Sequence, residues 1–103
     1  MEYSKIYEVT RLMHARPCAQ IVTKVSKFGK EYNGIEVYLQ NPEAKEADPF
    51  ECKSFIGLMI NVSENFFIGK KVKVIVRGDY ESKTLEKCAE EIGRLFLVER
   101  DEE

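Results

Sequence analysis

His14 is the only histidine in the 103-residue chain, and its setting, Leu12-Met13-His14-Ala15-Arg16-Pro17-Cys18, limits what it can do. Proline lacks an N–H and is tolerated in a helix only within the first turn, so Pro17 marks a helix that begins at His14. Helix N-termini present unpaired N–H groups and the positive end of the macrodipole together. An N-cap imidazole flanked by the amides of Ala15 and Arg16, with the Arg16 guanidinium adding a full charge, is a small anion nest that contains a nucleophile. An imidazole is partly unprotonated near neutral pH, so a ring nitrogen can attack phosphorus, and the N–P bond formed is labile enough to be passed on. The dipole adds about 0.3–1 kcal/mol at an exposed helix end and ~2 when partly buried. Such a site holds a phosphoryl group without trapping it. The same residues also admit a plain capping or exposed histidine. With Cys18 one turn on, they admit two further chemistries: a Cys-His nucleophilic pair, or a Cys3His zinc site completed by Cys52 and Cys88. No two cysteines stand at the close spacing of zinc sites, and Cys18 and Cys88 fall on apolar stripes. Burial is therefore the expected role of the thiols, and no metal site is expected.

The elements that must position His14 follow from hydrophobic periodicity. Residues 5–10 alternate Ile6, Glu8 and Thr10 against Tyr7 and Val9, a strand pattern. From Ala15 the apolar residues Cys18, Ile21, Val22, Val25 and Phe28 recur at three and four, predicting a helix over 15–28 with Gly29 as its C′ residue. Residues 31–40 carry Ile35, Val37 and Leu39 at period two, and 48–53 form a shorter strand, the two pairing antiparallel across a long loop. Residues 54–62 read as a short helix capped by Ser54. Lys71 to Gly78 alternates Val72, Val74 and Val76 against Lys71, Lys73 and Ile75, a strand with one apolar face. Leu85, Cys88, Ala89, Ile92, Leu95 and Phe96 draw one stripe along a helix over about 80–98, ahead of a flexible acidic tail at 99–103. The order β-α-β-β-α-β-α predicts an α+β two-layer sandwich, a four-stranded antiparallel sheet with three helices on one face.

The bulk properties exclude several function classes. Hydrophobic residues make up 44% and charged residues 33%, a globular balance in a length suited to a single domain, 1–103. The first residues lack a signal-peptide apolar core, and no apolar run approaches the ~18 residues of a membrane span, so a cytoplasmic protein with reduced thiols is expected. A net charge of −2 gives no overall attraction to nucleic acid or anionic membranes, so an anion site must be local. Phe55, Ile56, Leu58, Met59 and Ile60 cannot all face a core from one short helix. An exposed apolar patch is expected there, and such a patch usually marks a partner. Lys24, Lys27 and Lys30 complement the first helix's C-terminal dipole.

The His14-Ala15-Arg16-Pro17 element followed by Lys53-Ser54-Phe55-Ile56-Gly57 resembles the histidine-containing phosphocarrier protein HPr of the bacterial phosphoenolpyruvate-dependent sugar phosphotransferase system. The resemblance runs from about Ile6 to Phe96 and includes the segment Gly78–Glu91 that leads into the last helix. It implies an HPr-like open-faced sandwich, in agreement with the element order. His14 then matches the histidine phosphorylated by enzyme I, on the ring nitrogen nearer the backbone, and Arg16 the arginine that neutralises the phosphoryl group, with Ala15 beside it. Ser54 matches the serine modified by HPr kinase/phosphorylase, and Phe55, Ile56 and Met59 match apolar docking positions. The implied partners are enzyme I, enzyme IIA domains, HPr kinase/phosphorylase and a transcription regulator, with no cofactor, nucleic acid or membrane, the chain acting as a monomer. The chain departs from the family where Leu12 and Met13 precede His14 without the usual glycine, in a loop about two residues shorter. Segments 41–49 and 61–71 are longer than usual. The shortened loop motivates a second reading, an HPr-like regulatory module that binds a kinase or transcription regulator without efficient phosphotransfer.

Overall fold

The computed structural model describes residues 1–44 and 46–98; the acidic segment 99–103, expected as a flexible tail, lies outside the described residues. Four strands, β1 (Glu2–Glu8), β2 (Glu36–Gln40), β3 (Phe50–Glu51) and β4 (Lys71–Arg77), form one antiparallel sheet in the order β1-β4-β2-β3. Three helices, α1 (Ala15–Glu31), α2 (Phe55–Asn65) and α3 (Ser82–Gly93), complete the α+β architecture, and a 3-10 turn over Arg94–Phe96 follows α3.

The expected alternation of β4 places it at the centre of the sheet. Val72, Val74 and Val76 are buried on the helix-covered face, with Val37 and Leu39 of β2 beside them. The register pairs Tyr3, Lys5 and Tyr7 of β1 with these valines, so the inner face of this edge strand carries a lysine whose Nζ lies 5.4 Å from the Tyr7 ring centroid. An inward charge on an edge strand discourages pairing with another chain. The opposite face is open: Ile6 is half exposed there, whereas Ile75 is buried between Ser4 and Tyr38 of the flanking strands.

Several boundaries differ from those expected, each for a tertiary reason. β1 covers 2–8 rather than 5–10, because Glu2 pairs with Arg77 at one end while Val9 leaves the ladder to exchange hydrogen bonds with Lys70 and Gly69 at the other. α1 does not stop before Gly29 but runs through it to Glu31, with Tyr32 as C-cap donating its N–H to the Phe28 carbonyl. The glycine that turns the chain is Gly34, at φ +86°. α2 ends at Asn65, three residues beyond the expected 62, because Phe66 beyond it is buried and its N–H caps the Val62 carbonyl. The last helix begins at Ser82, since Tyr80 is held outside it by a 2.8 Å bond to the Asn33 carbonyl and an edge contact with Tyr32. It ends at Gly93 rather than near 98, where the tighter 3-10 turn drives Phe96 into the core against Phe66. β2 and β3 are shorter than the segments 31–40 and 48–53 but pair as expected, Tyr38 with Glu51 and Leu39 with Phe50.

Candidate functional site

The helix opened by Pro17 is capped by His14. His14 has extended backbone dihedrals, φ −119° and ψ −159°, and its carbonyl accepts the first intrahelical bond from the Cys18 N–H at 3.2 Å. Its exposed imidazole folds back over the helix end, where Nδ1 accepts from the Arg16 N–H at 3.4 Å. An accepting Nδ1 carries a lone pair, so the neutral ring holds its proton on Nε2. The nitrogen nearer the backbone therefore faces the helix end with an available electron pair. No acidic side chain stands in the first turn of α1 to compete for its amides. Ala15 and Arg16 are exposed, while Pro17 and Cys18 are buried and hold the helix end against the core.

Arg16 borders an open depression of about 510 Å³ on α1, which also has Lys24, Lys27 and Leu95 in its wall. Lys24 does more than answer the helix dipole, since its Nζ lies 3.3 Å from the Glu91 carboxylate of α3.

Ser54 caps α2, its hydroxyl accepting from the Gly57 N–H at 3.1 Å. Gly57 passes close to β3: a Cβ there would lie 3.3 Å from the Phe50 ring, a tight contact. α2 packs against α1. Of the expected docking residues, Phe55 is 39% and Ile56 70% exposed, whereas Met59 is half-buried and packed against the core. Ile60, 55% exposed, continues the apolar strip along α2. Leu12, Phe67 and Ile68 add exposed apolar surface not singled out from the sequence. The uninterrupted Phe66-Phe67-Ile68 run was the available signal, since only Phe66 enters the core.

The three cysteines are all buried free thiols. Burial, reinforced by Glu51 and the Cys18 thiol, pushes Cys52 up to about 12. Burial, then Glu91, pushes Cys88 up to about 11. Burial alone raises Cys18. Such thiols are poor nucleophiles, which disfavours a Cys18–His14 pair. Among the described residues no group of three or more His, Cys, Asp or Glu side chains is placed to hold a metal ion, so the Cys3His arrangement does not assemble. No described helix is long and apolar enough to cross a membrane.

No protein-family model matches the chain. No curated protein matches it either. Among solved structures it is similar to the crystal structure of HPr-C-His from Thermoanaerobacter tengcongensis, with 25% sequence identity and a TM-score of 0.61 over 91% of this chain and 94% of that one.

Proposed function

We propose that this chain, whose fold is HPr-like, is a phosphocarrier that takes a phosphoryl group on His14 Nδ1 from phospho-enzyme I and passes it to enzyme IIA domains. The observation that carries the reading is the orientation of Nδ1, its lone pair directed to the Arg16 amide at the N-terminus of α1. In the forward step that lone pair attacks the phosphorus of a phosphohistidine on the donor. The Nδ1–P bond forms as the donor N–P bond breaks, and the electron pair of the broken bond returns to the donor imidazole. The Arg16 amide, released from Nδ1, and the Ala15 amide then donate to phosphoryl oxygens, and the Arg16 guanidinium balances their charge. Transfer to an acceptor histidine is the same exchange in reverse.

Docking uses Phe55, Ile56 and the partly covered Met59, with Ile60 extending the strip. Ser54 is the regulatory position: a phosphate there carries about −1.5 to −2 charge at a helix N-terminus, which tolerates it, while adding that charge to the edge of the docking strip. Incubation with phosphoenolpyruvate and enzyme I tests the reading. The expected product is one acid-labile, base-stable phosphate per chain in the wild type and none in His14→Ala. Phosphorylation of His14→Ala protein by enzyme I would overturn it. Tight binding to a kinase or transcription regulator with no transfer would favour the regulatory-module reading instead.

A further inference from the structure

The loop before His14 is held from behind. Residues 9–13 contain no glycine and no positive φ, so local backbone geometry does not dictate their path. Tertiary hydrogen bonds do. Val9 is pinned to the 66–70 loop, donating to Lys70 at 2.7 Å and accepting from Gly69 at 2.8 Å. The next two residues are tied to the turn after α3. The Thr10 and Arg11 N–H groups both donate to the Phe96 carbonyl, at 3.0 and 3.2 Å. The Thr10 hydroxyl accepts from the Val98 N–H at 2.9 Å, and Arg11 Nη1 reaches the Leu95 carbonyl at 3.4 Å. The anchor is rigid, because Phe96 is fully buried with its ring edge-on to Phe66.

We infer that Thr10 is a positioning residue for His14: with the 94–98 turn it latches the short loop that sets the N-cap and thereby the aim of the imidazole. Three residues separate Thr10 from His14, and of these only Arg11 makes a side-chain hydrogen bond to the body of the protein. Leu12 is exposed and Met13 is packed against the core. Loss of the Thr10 hydroxyl unfastens the Val98 amide, widens the set of loop conformations, and lowers the fraction of molecules with Nδ1 over the Arg16 amide. The rate of any reaction at Nδ1 falls with that fraction. The transfer part of this inference rests on the phosphocarrier reading; the positioning part does not.

The test compares wild type, Thr10→Val and Thr10→Ser in three measurements: amide exchange at Val98, the NMR resonances of the His14 ring, and phosphoryl transfer from enzyme I. Thr10→Val keeps the shape and β-branching of an exposed residue, so the fold survives. We expect Val98 exchange to quicken, the His14 ring resonances to move, and transfer to slow roughly two- to tenfold, the range for one net hydrogen bond. Thr10→Ser restores all three. A merely structural role lowers the thermal midpoint without moving the ring resonances. Fast Val98 exchange with unchanged His14 resonances in Thr10→Val overturns the latch. A wild type that enzyme I does not phosphorylate overturns the phosphocarrier reading alone, and the exchange and ring resonances still decide the latch.

Discussion

Gly93→Ala should be among the most damaging single-methyl changes available to this protein. Gly93 is buried at the end of α3, directly against the ring of Tyr7 on β1. A Cβ there would fall inside the envelope of Tyr7 Cζ and Cε1 and only 2.6 Å from Cε2. The obstacle is the body of a ring rather than a flexible tip, and the ring stands on a strand paired with β4 along seven positions. Relief therefore requires the Tyr7 ring to be displaced or α3 to move off the sheet, the latter loosening Leu85, Cys88, Ala89 and Ile92 together. Overpacking costs up to about 3 kcal/mol, and alanine returns about 1 kcal/mol through helix propensity, so the net loss should be about 2 kcal/mol. In a domain of this size that lowers the thermal midpoint by roughly 10 °C. Urea unfolding followed by circular dichroism measures it, on wild type, Gly93→Ala, Tyr7→Leu and the double variant. In the Tyr7→Leu background the ring is gone, and Gly93→Ala should cost little. Equal stability of Gly93→Ala and wild type, or an equal penalty in both backgrounds, would refute the contact as the cause.

Other expected outcomes concern the thiols and the two helix caps. The Cys52 thiol has an ordinary value of 9.0 that rises to about 12 in the fold; above pH 9 the unfolded chain loses this proton while the native chain keeps it, so stability falls as pH rises from 9 toward 12. By pH 10.5 this group alone should account for about 2 kcal/mol, and the stability of Cys52→Ala should fall correspondingly less between pH 8 and 10.5; parallel curves for the two proteins would contradict the assignment. Ser54→Ala should lose about 1 kcal/mol of capping, whereas Ser54→Asp keeps the cap and the thermal midpoint but slows transfer from enzyme I; equal transfer in wild type, Ser54→Ala and Ser54→Asp leaves the serine a cap only. Arg16→Ala should leave the unfolding curve unchanged and slow transfer roughly ten- to a hundredfold, the range of a hydrogen bond to a charged group, measured by single-turnover phosphorylation.

What was legible in the sequence was what adjacent residues decide. Pro17 placed the start of α1 because its missing N–H admits only first-turn positions, and the alternating valines of β4 identified the strand that the sheet is built around. The same logic located the cap roles of His14 and Ser54, both of which act on amides two or three residues away. The end of α3 was not legible: the turn at Arg94–Phe96 is fixed by partners at Thr10 and Arg11, more than eighty residues distant in sequence. Gly29 illustrates a related failure. A glycine after a buried Phe28 matches a C′ signal, yet the helix continues, because nothing at Gly29 demands a positive φ and the chain turns instead at Gly34. Which apolar residues of α2 stay outside was also undecided locally, since Met59 and Ile60 are neighbours with opposite fates. The latch on the His14 loop belongs to the same nonlocal class.

The central claim is that His14 Nδ1 is the acceptor, and the most direct measurement is an NMR experiment that correlates imidazole nitrogens with ring protons and phosphorus after incubation with phosphoenolpyruvate and enzyme I. The phosphorus should couple to Nδ1 of His14, with the Ala15 and Arg16 amide resonances shifting downfield as they donate to phosphoryl oxygens. Phosphorus on Nε2, phosphorus on any other residue, or an unmodified His14 in the presence of active phospho-enzyme I would contradict the account.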